Sequence, residues 1–207
     1  MSNYELDITF DQAGLIALTA AGQSVTIVKQ TAGSKPVAWI TFTPQMANAI
    51  TWTEQYSVYS STTNTQSGAV IVTSSSTSAI GGSSYNLNAS GFFDPGVSGA
   101  VGTTQYQIEN SDPTLMIGTT AMVTGGLVQG ANVNGSVVSA PMCAVGILFN
   151  QTALFTPIET INVFTSSYSN NGMVISQVAG NALTVTYTTN AKASIKYNDQ
   201  NNQFILS

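Results

Sequence analysis

Short segments in which apolar and polar residues alternate one by one run through most of this chain. Residues 5–10 read Glu-Leu-Asp-Ile-Thr-Phe, and residues 183–188 read Leu-Thr-Val-Thr-Tyr-Thr. Successive side chains of a β-strand point to opposite faces of a sheet, so a period of two is typical of strands with one buried face. The chain is therefore constrained to build most of its fold from pleated segments.

Glycine, proline and asparagine punctuate these alternating segments at short intervals. We count about fourteen strand candidates, spaced roughly 8 to 14 residues apart, with no internal repeat of fixed period. This pattern favours an all-β fold: an antiparallel β-sandwich, or flattened barrel, of many short strands. We predict a single domain over residues 1–207. A subdivision near residues 61–102, where serine, threonine and glycine dominate, is the less favoured alternative.

One segment near the N-terminus departs from the strand pattern. Asp11 is a typical helix N-cap, residues 12–21 carry an apolar side, and Gly22 suits a C-terminal stop. We predict one short helix here.

Charged side chains are scarce, and this scarcity excludes several classes of partner. They make up 6% of the chain, against about 25% in typical proteins, and there is no arginine. The net charge is -5, and nucleic-acid affinity rests mostly on lysine and arginine contacts, so we expect no nucleic-acid partner. Two of the four lysines, Lys29 and Lys196, fall in predicted strands, and we expect both to point to solvent.

The absence of histidine removes most of the common catalytic sites. Neither a Ser-His-Asp triad nor a Cys-His pair nor a histidine metal site can form. The single cysteine, Cys143, lies in the apolar run 142–149 and is expected to be a buried core residue. Residues 109–112 and 198–201 are acidic, amide-rich loops that fit ordinary polar turns better than a calcium loop. We predict a non-enzymatic protein without cofactor or metal.

The segment 37–60 holds both tryptophans and is the most distinctive part of the sequence. Alternation on each side of Pro44 predicts a hairpin or two neighbouring strands, connected through residues 45–48. Aromatic rings beside amides and carboxylates can stack on sugars or enclose a quaternary ammonium group. The alternative is that both tryptophans are core residues. The candidate ligand-binding residues are Trp39, Trp52, Glu54, Tyr56 and Tyr59.

Two residue pairs give further local predictions. Gly125 and Gly126 separate two strand candidates, which is typical of a hairpin turn. Phe92 and Phe93 precede an Asp-Pro-Gly turn signal and are expected to be core residues; the alternative is that they are exposed and form an anchor.

These observations favour a recognition protein, either lectin-like or lipid-headgroup-binding, whose partner is a glycan or a neutral membrane surface. One alternative is a pore-forming cytolytic protein that inserts a Ser/Thr-rich amphipathic hairpin from residues 60–84. Another is a self-assembling structural protein that forms a filament, shell or crystal, because a surface with few charges resists association poorly. For the same reason we expect a homo-oligomer.

The sequence also bears on location. Its first seven residues are acidic rather than signal-like, and no run of 18 apolar residues occurs. With neither a signal peptide nor a transmembrane helix in the sequence, we predict synthesis in the cytosol, followed by retention there or release by a non-classical route. The alternative is that a leader segment has been removed.

Overall fold

Two β-sheets and one helix make up the computed structural model, which describes residues 2–168 and 170–207. The strands of the larger sheet are β1 (Asn3–Thr9), β3 (Lys35–Ala38), β5 (Ala47–Ser61), β6 (Ser75–Ala79), β10 (Met116–Ile117), β11 (Thr120–Val133), β12 (Ser136–Pro141), β13 (Cys143–Leu148), β15 (Met173–Val174), β17 (Lys192–Asn198) and β18 (Gln203–Leu206). The strands of the smaller sheet are β2 (Ser24–Ala32), β4 (Ile40–Phe42), β7 (Ser83–Leu87), β8 (Val97–Ser98), β9 (Tyr106–Asn110), β14 (Gln151–Ser166) and β16 (Leu183–Thr186). The predicted all-β sandwich with one short helix is confirmed.

The larger sheet has the order β15-β3-β13-β11-β5-β1-β17-β18, with β10 and β12 on β11 and β6 on β5. The smaller sheet has the order β4-β2-β14-β9-β7-β8, with β16 on β14. Most neighbours are antiparallel, but β1 pairs with β17, and β7 with β9, in parallel. Strands β5 and β11 therefore lie in the middle of the larger sheet, and β14 and β9 occupy the corresponding place in the smaller one.

The main hydrophobic core lies between the two sheets. Leu6 and Ile50 reach it from the larger sheet and Ile27 from the smaller one, all with no exposed surface. Burying one such side chain stabilises the fold by roughly 1.5–3 kcal/mol. Tyr85 and Leu87 belong to the same cluster, so the segment 61–102 shares its core with the rest of the sandwich.

The helix α1 (Gln12–Ala20) begins as the sequence predicts. The Asp11 carboxylate accepts a hydrogen bond from the Gly14 amide at 2.7 Å, and Gly22 follows the helix with a φ of 62°. This φ is one that glycine adopts without strain, which explains the stop. Among the described residues, no helix has the length and apolar character needed to cross a membrane.

The predicted hairpin in the segment 37–60 is wrong. β3 belongs to the larger sheet, β4 pairs with β2 in the smaller sheet, and β5 returns to the larger sheet. Trp39 lies at the first crossing, between the buried residues Ala38 and Ile40. Alternation reveals which face of a strand is buried but not which strand lies beside it, and here the chain changes sheets twice.

The predicted turn at Gly125 and Gly126 is also wrong. β11 continues straight through both residues, with β5 on one side and β13 on the other. A Cβ atom on Gly126 would lie 2.2 Å from the carbonyl oxygen of Cys143 and 2.8 Å from the Tyr59 ring. The glycine is needed because backbone and ring approach closely, which is the other common reason for glycine within a strand.

Three remaining local predictions have mixed outcomes. Cys143 is buried as expected, and burial raises the pKa of its thiol to about 11. Phe93 packs against the core, but Phe92 is 65% exposed, so the prediction is wrong for Phe92. In the described part of the chain, no three acidic or cysteine side chains are grouped to hold a metal ion. Asp112 instead accepts hydrogen bonds from the backbone of Thr114, at 2.7 Å, as an ordinary polar turn does.

Candidate functional site

Lys29 lies at the centre of the candidate site, although the sequence predicted a solvent-facing residue. Its side chain has no exposed surface. β2 is paired on both edges, with β4 and β14, and Lys29 shares its inward face with Val25 and Ile27. The prediction is therefore wrong for Lys29, whereas Lys196 is exposed as expected.

The Lys29 ammonium group has three polar partners inside the sandwich. Its Nζ atom donates to Oε1 of Glu159 at 2.8 Å, to Oε1 of Gln129 at 3.0 Å and to the Tyr56 hydroxyl at 3.3 Å. An ammonium group carries three N–H donors, so these three acceptors satisfy it. Full satisfaction is what makes a buried charge tolerable.

Glu159 reaches the ammonium group from an irregular part of β14. The pairing of β14 with β2 shifts register between Pro157 and Ile161, and Glu159 lies within this bulge. Bulges commonly redirect a side chain, and here the redirected carboxylate is only 15% exposed. The Tyr56 hydroxyl donates to its Oε1 at 2.9 Å, and Trp52 Nε1 donates to its Oε2 at 3.3 Å.

Three aromatic rings surround the same ammonium group. Lys29 Nζ lies 5.7 Å from the Trp39 ring, 5.8 Å from the Trp52 ring and 5.4 Å from the Tyr56 ring. These distances allow cation–π attraction, which is stronger where water is excluded. Trp39 and Trp52 also meet edge to face, 5.6 Å apart. The three rings form an aromatic cage around a cation that the chain itself supplies.

The structure thus brings together three of the five predicted ligand-binding residues, but inside the protein. Trp39 and Tyr59 have no exposed surface, Trp52 has 3% and Tyr56 has 7%. None of these four rings presents the open face that stacking on a sugar needs. Glu54 is exposed and accepts a hydrogen bond from the hydroxyl group of Tyr4 at 2.6 Å.

Tyr59 lies apart from the aromatic cage. It belongs to a second hydrophobic cluster, and its hydroxyl donates to the carbonyl oxygen of Cys143 at 2.8 Å. Its role is to fix the approach of β5 to β13 next to Gly126.

The polar groups inside the sandwich titrate abnormally because they are shielded from water. Burial lowers the pKa of Lys29, and the nearby Glu159 carboxylate opposes that shift. Burial also raises the pKa of Tyr56 well above its usual range, and Glu159 adds to this rise. Desolvation disfavours the charged form of either group, so the amine loses its proton more readily and the phenol less readily.

We expect the protein to lose stability steeply above about pH 10, where an unperturbed tyrosine ionises. Burial raises the pKa values of Tyr56, Tyr59 and Tyr187, so the native state retains protons that the unfolded chain releases. The lowered pKa of Lys29 makes stability rise with pH instead, but only below the ordinary lysine pKa of 10.5. The check is to follow tyrosinate absorbance and circular dichroism together through an alkaline titration. Tyrosine ionisation well before loss of the β-sheet signal would contradict this expectation.

A second feature lies on the outer face of the larger sheet, behind Trp52. There, β1, β5, β11, β12 and the first residue of β17 line an open groove of about 690 Å³. Its polar lining consists of Asn3, Glu5, Thr51, Thr53, Gln55, Asn132 and Lys192. A smaller hollow of about 410 Å³ shares Gln55 and Gly130 with it and extends it past Ser57, Ser78 and Ser139.

The groove presents hydroxyl and amide groups in register across three strands. Glu5 is paired with Thr51, which is paired in turn with Asn132, and Asn3 is paired with Thr53. Paired side chains on one face of a sheet lie about 5 Å apart, so these groups form a two-dimensional array. Sequence reasoning missed the groove because its residues are distant in sequence. The sequence indicates only that these residues occupy the polar, outward-facing positions of the alternating segments.

The groove carries little net charge. Lys192 donates to Glu5 at 2.7 Å and forms an ion pair with Asp7 at 2.8 Å, so the cation is balanced within the sheet. These carboxylates hold the pKa of Lys192 above its usual range. Comparison with protein-family models, with curated proteins and with solved structures found no match for this chain, so its geometry alone carries the functional interpretation.

Proposed function

We propose that this chain recognises neutral glycans through the groove on the outer face of its larger sheet, without catalysis. The observation that carries the proposal is the in-register array of hydroxyl and amide groups along β1, β5 and β11. Sugars present hydroxyl groups that both donate and accept hydrogen bonds. Threonine hydroxyls and asparagine amides offer the same two capacities.

The shape of the groove favours an oligosaccharide over a single sugar. The two hollows share Gln55 and Gly130 and together extend along β5 from Thr51 to Ser57. A chain of sugars could lie along them and contact successive outward side chains. One hydrogen bond contributes only about 1 kcal/mol net, so measurable affinity would need several such contacts along the groove.

The glycan interpretation has a better-placed site than the headgroup interpretation. A quaternary ammonium headgroup would need an open aromatic cage. The cage formed by Trp39, Trp52 and Tyr56 already encloses the Lys29 ammonium group and is buried. A neutral membrane surface as partner therefore stays a prediction, and the rings of Trp39, Trp52 and Tyr56 do not offer an accessible site for it.

Gly130 offers a way to fill the groove without disturbing the fold. A Cβ atom placed there would meet only the carbonyl oxygen of Val138, at 3.9 Å. We expect Gly130→Leu to weaken glycan binding at least about tenfold, equivalent to ~1.4 kcal/mol. The measurement is a glycan array with the wild-type protein, followed by calorimetric titration of the best ligand into both proteins. Gly180→Leu is the matched control, because Gly180 has open space around it and lies outside the groove.

Two results would contradict the proposal. One is the absence of binding by the wild-type protein to any glycan on a broad array. The other is equal affinity of Gly130→Leu and Gly180→Leu for a bound glycan, which would place the binding site elsewhere. Retained binding by Gly180→Leu with loss in Gly130→Leu is the supporting result.

The other two interpretations from the sequence, a pore-forming protein and a self-assembling protein, stay predictions. In the structure, β6 from the Ser/Thr-rich segment is paired with β5. Exposed apolar side chains are present on this segment, including Val72 and Ile80. Neither observation favours one of these functions over glycan recognition.

A further inference from the structure

A primary amine, a carboxamide and a carboxylate meet in the interior of the sandwich. Lys29 Nζ lies 3.0 Å from Oε1 of Gln129 and 2.8 Å from Oε1 of Glu159. Lys29 and Gln129 are each only 1% exposed. We propose that Lys29 and Gln129 react to form an amide cross-link between their side chains, releasing ammonia, with Glu159 as the catalytic acid and base. This proposal is independent of glycan recognition.

The geometry holds the two reacting groups together before any reaction. Gln129 Nε2 donates to the carbonyl oxygen of Thr53 at 2.7 Å, which turns the amide oxygen towards Lys29. The backbone of Gln129 is also held, because Trp39 Nε1 donates to its carbonyl oxygen at 3.0 Å. The contact joins Nζ to Oε1, one bond away from the carbon that is attacked, and holding two reactants side by side removes much of the entropic cost of the corresponding bimolecular reaction.

The interior also supplies the reactive form of the amine. Only a neutral amine has the lone pair needed to attack a carbonyl carbon. Burial lowers the pKa of Lys29, so the neutral amine forms more readily than in water. Glu159 accepts the departing proton across the 2.8 Å contact. Tyr56 and Trp52 donate to the two oxygens of this carboxylate and hold it in position.

The reaction is balanced without any further reactant. Lys29 Nζ attacks the side-chain carbonyl carbon of Gln129, Cδ, and a new carbon–nitrogen bond forms. The bond between Cδ and Nε2 breaks as the proton that Glu159 took from the ammonium group passes to Nε2. The second proton of Nζ passes through the same carboxylate to the leaving nitrogen, which departs as an ammonium ion. The products are one secondary amide and one ammonium ion, the Glu159 carboxylate is regenerated, and no oxidant or reductant is needed.

The bond would join the two sheets of the sandwich. Lys29 lies on β2 of the smaller sheet and Gln129 on β11 of the larger sheet, 100 residues apart in sequence. The chain has one cysteine and therefore no disulfide of its own. An internal amide would provide the covalent link between sheets that a disulfide provides elsewhere.

The test is the intact mass of the denatured protein. The expected result for the wild type is a mass lower than its composition by one ammonia molecule. Tandem mass spectrometry of a digest should find a branched peptide that joins residues 29 and 129. Lys29→Met and Glu159→Gln should retain the full mass of their compositions. Lys196→Met removes an exposed lysine and should still lose ammonia, which makes it the matched control.

Either of two results would overturn the proposal. A wild-type protein that keeps its full mass after prolonged incubation in the folded state has not formed the amide. Ammonia loss that persists in Lys29→Met arises at another site. The mass of the wild-type protein alone shows whether the amide forms, even if a variant fails to fold. It also leaves glycan binding untouched, so failure here and failure of the proposed function are separate results.

Discussion

Glu159→Gln is expected to lower the free energy of unfolding by about 3–5 kcal/mol, the usual cost of removing one partner from a buried ion pair. The substitution preserves the volume of the side chain but leaves the Lys29 ammonium group, with no exposed surface, without its anionic partner. Denaturant unfolding followed by circular dichroism measures the effect.

The matched control is Glu5→Gln, which removes a carboxylate from the other lysine pair. Lys192 and Glu5 are 57% and 39% exposed, and Asp7 remains as a second partner at 2.8 Å. Exposed pairs contribute little, so this variant should unfold close to the wild type. Equal destabilisation by the two substitutions would show that burial of the Lys29 pair is unimportant. Lys29→Met combined with Glu159→Leu should recover much of the lost stability, because no unpaired charge remains.

Gly126→Ala is expected to destabilise the protein by about 3 kcal/mol or more, through overpacking. The added methyl group would lie 2.2 Å from the Cys143 carbonyl oxygen and 2.8 Å from the Tyr59 ring. Neither neighbour can move easily, because the Tyr59 hydroxyl donates to that same carbonyl oxygen at 2.8 Å. Thermal unfolding, with chemical denaturation as a second measurement, gives the size of the effect.

Gly130→Ala is the control for this prediction, since it is the same substitution on the same strand. Its Cβ atom would meet one backbone oxygen at 3.9 Å, an ordinary contact distance. The expected change in stability is small. If the two variants unfold alike, close approach at Gly126 is not the reason for its glycine.

The sequence predicted the elements of this fold better than their partners. The alternation of β1 and the capping residues of α1 are local signals, and both elements appear where they were expected. The crossing at Trp39 and the straight run of β11 through Gly126 depend on neighbours that are distant in sequence. Local pattern carries no information about such neighbours, so the corresponding turn and hairpin predictions were wrong.

Lys29 shows where a stronger signal was available in the sequence. Its parity places it with Val25 and Ile27, which face the core. The general preference of lysine for solvent points the other way, and here the parity outweighs it. Its partner Glu159 could not be found in the same way, because it is 130 residues away and reaches inward only through a bulge. Trp39, Trp52 and Tyr56 lie close together in the fold as they do in the sequence, but their burial follows from the crossing of the chain at Trp39.

The parallel pairing of β1 with β17 has a consequence for how the protein is made. Glu5 and Lys192, which are neighbours in the folded sheet, are 187 residues apart in the chain. While the ribosome is still translating, β1 can pair with β5 on one edge, but its other edge must wait until β17 has emerged. An unpaired edge invites association with other nascent chains, and long-range pairing is slow to form. Pairing with β17 closes this edge of β1, so a chain that stops before β17 would leave the edge open.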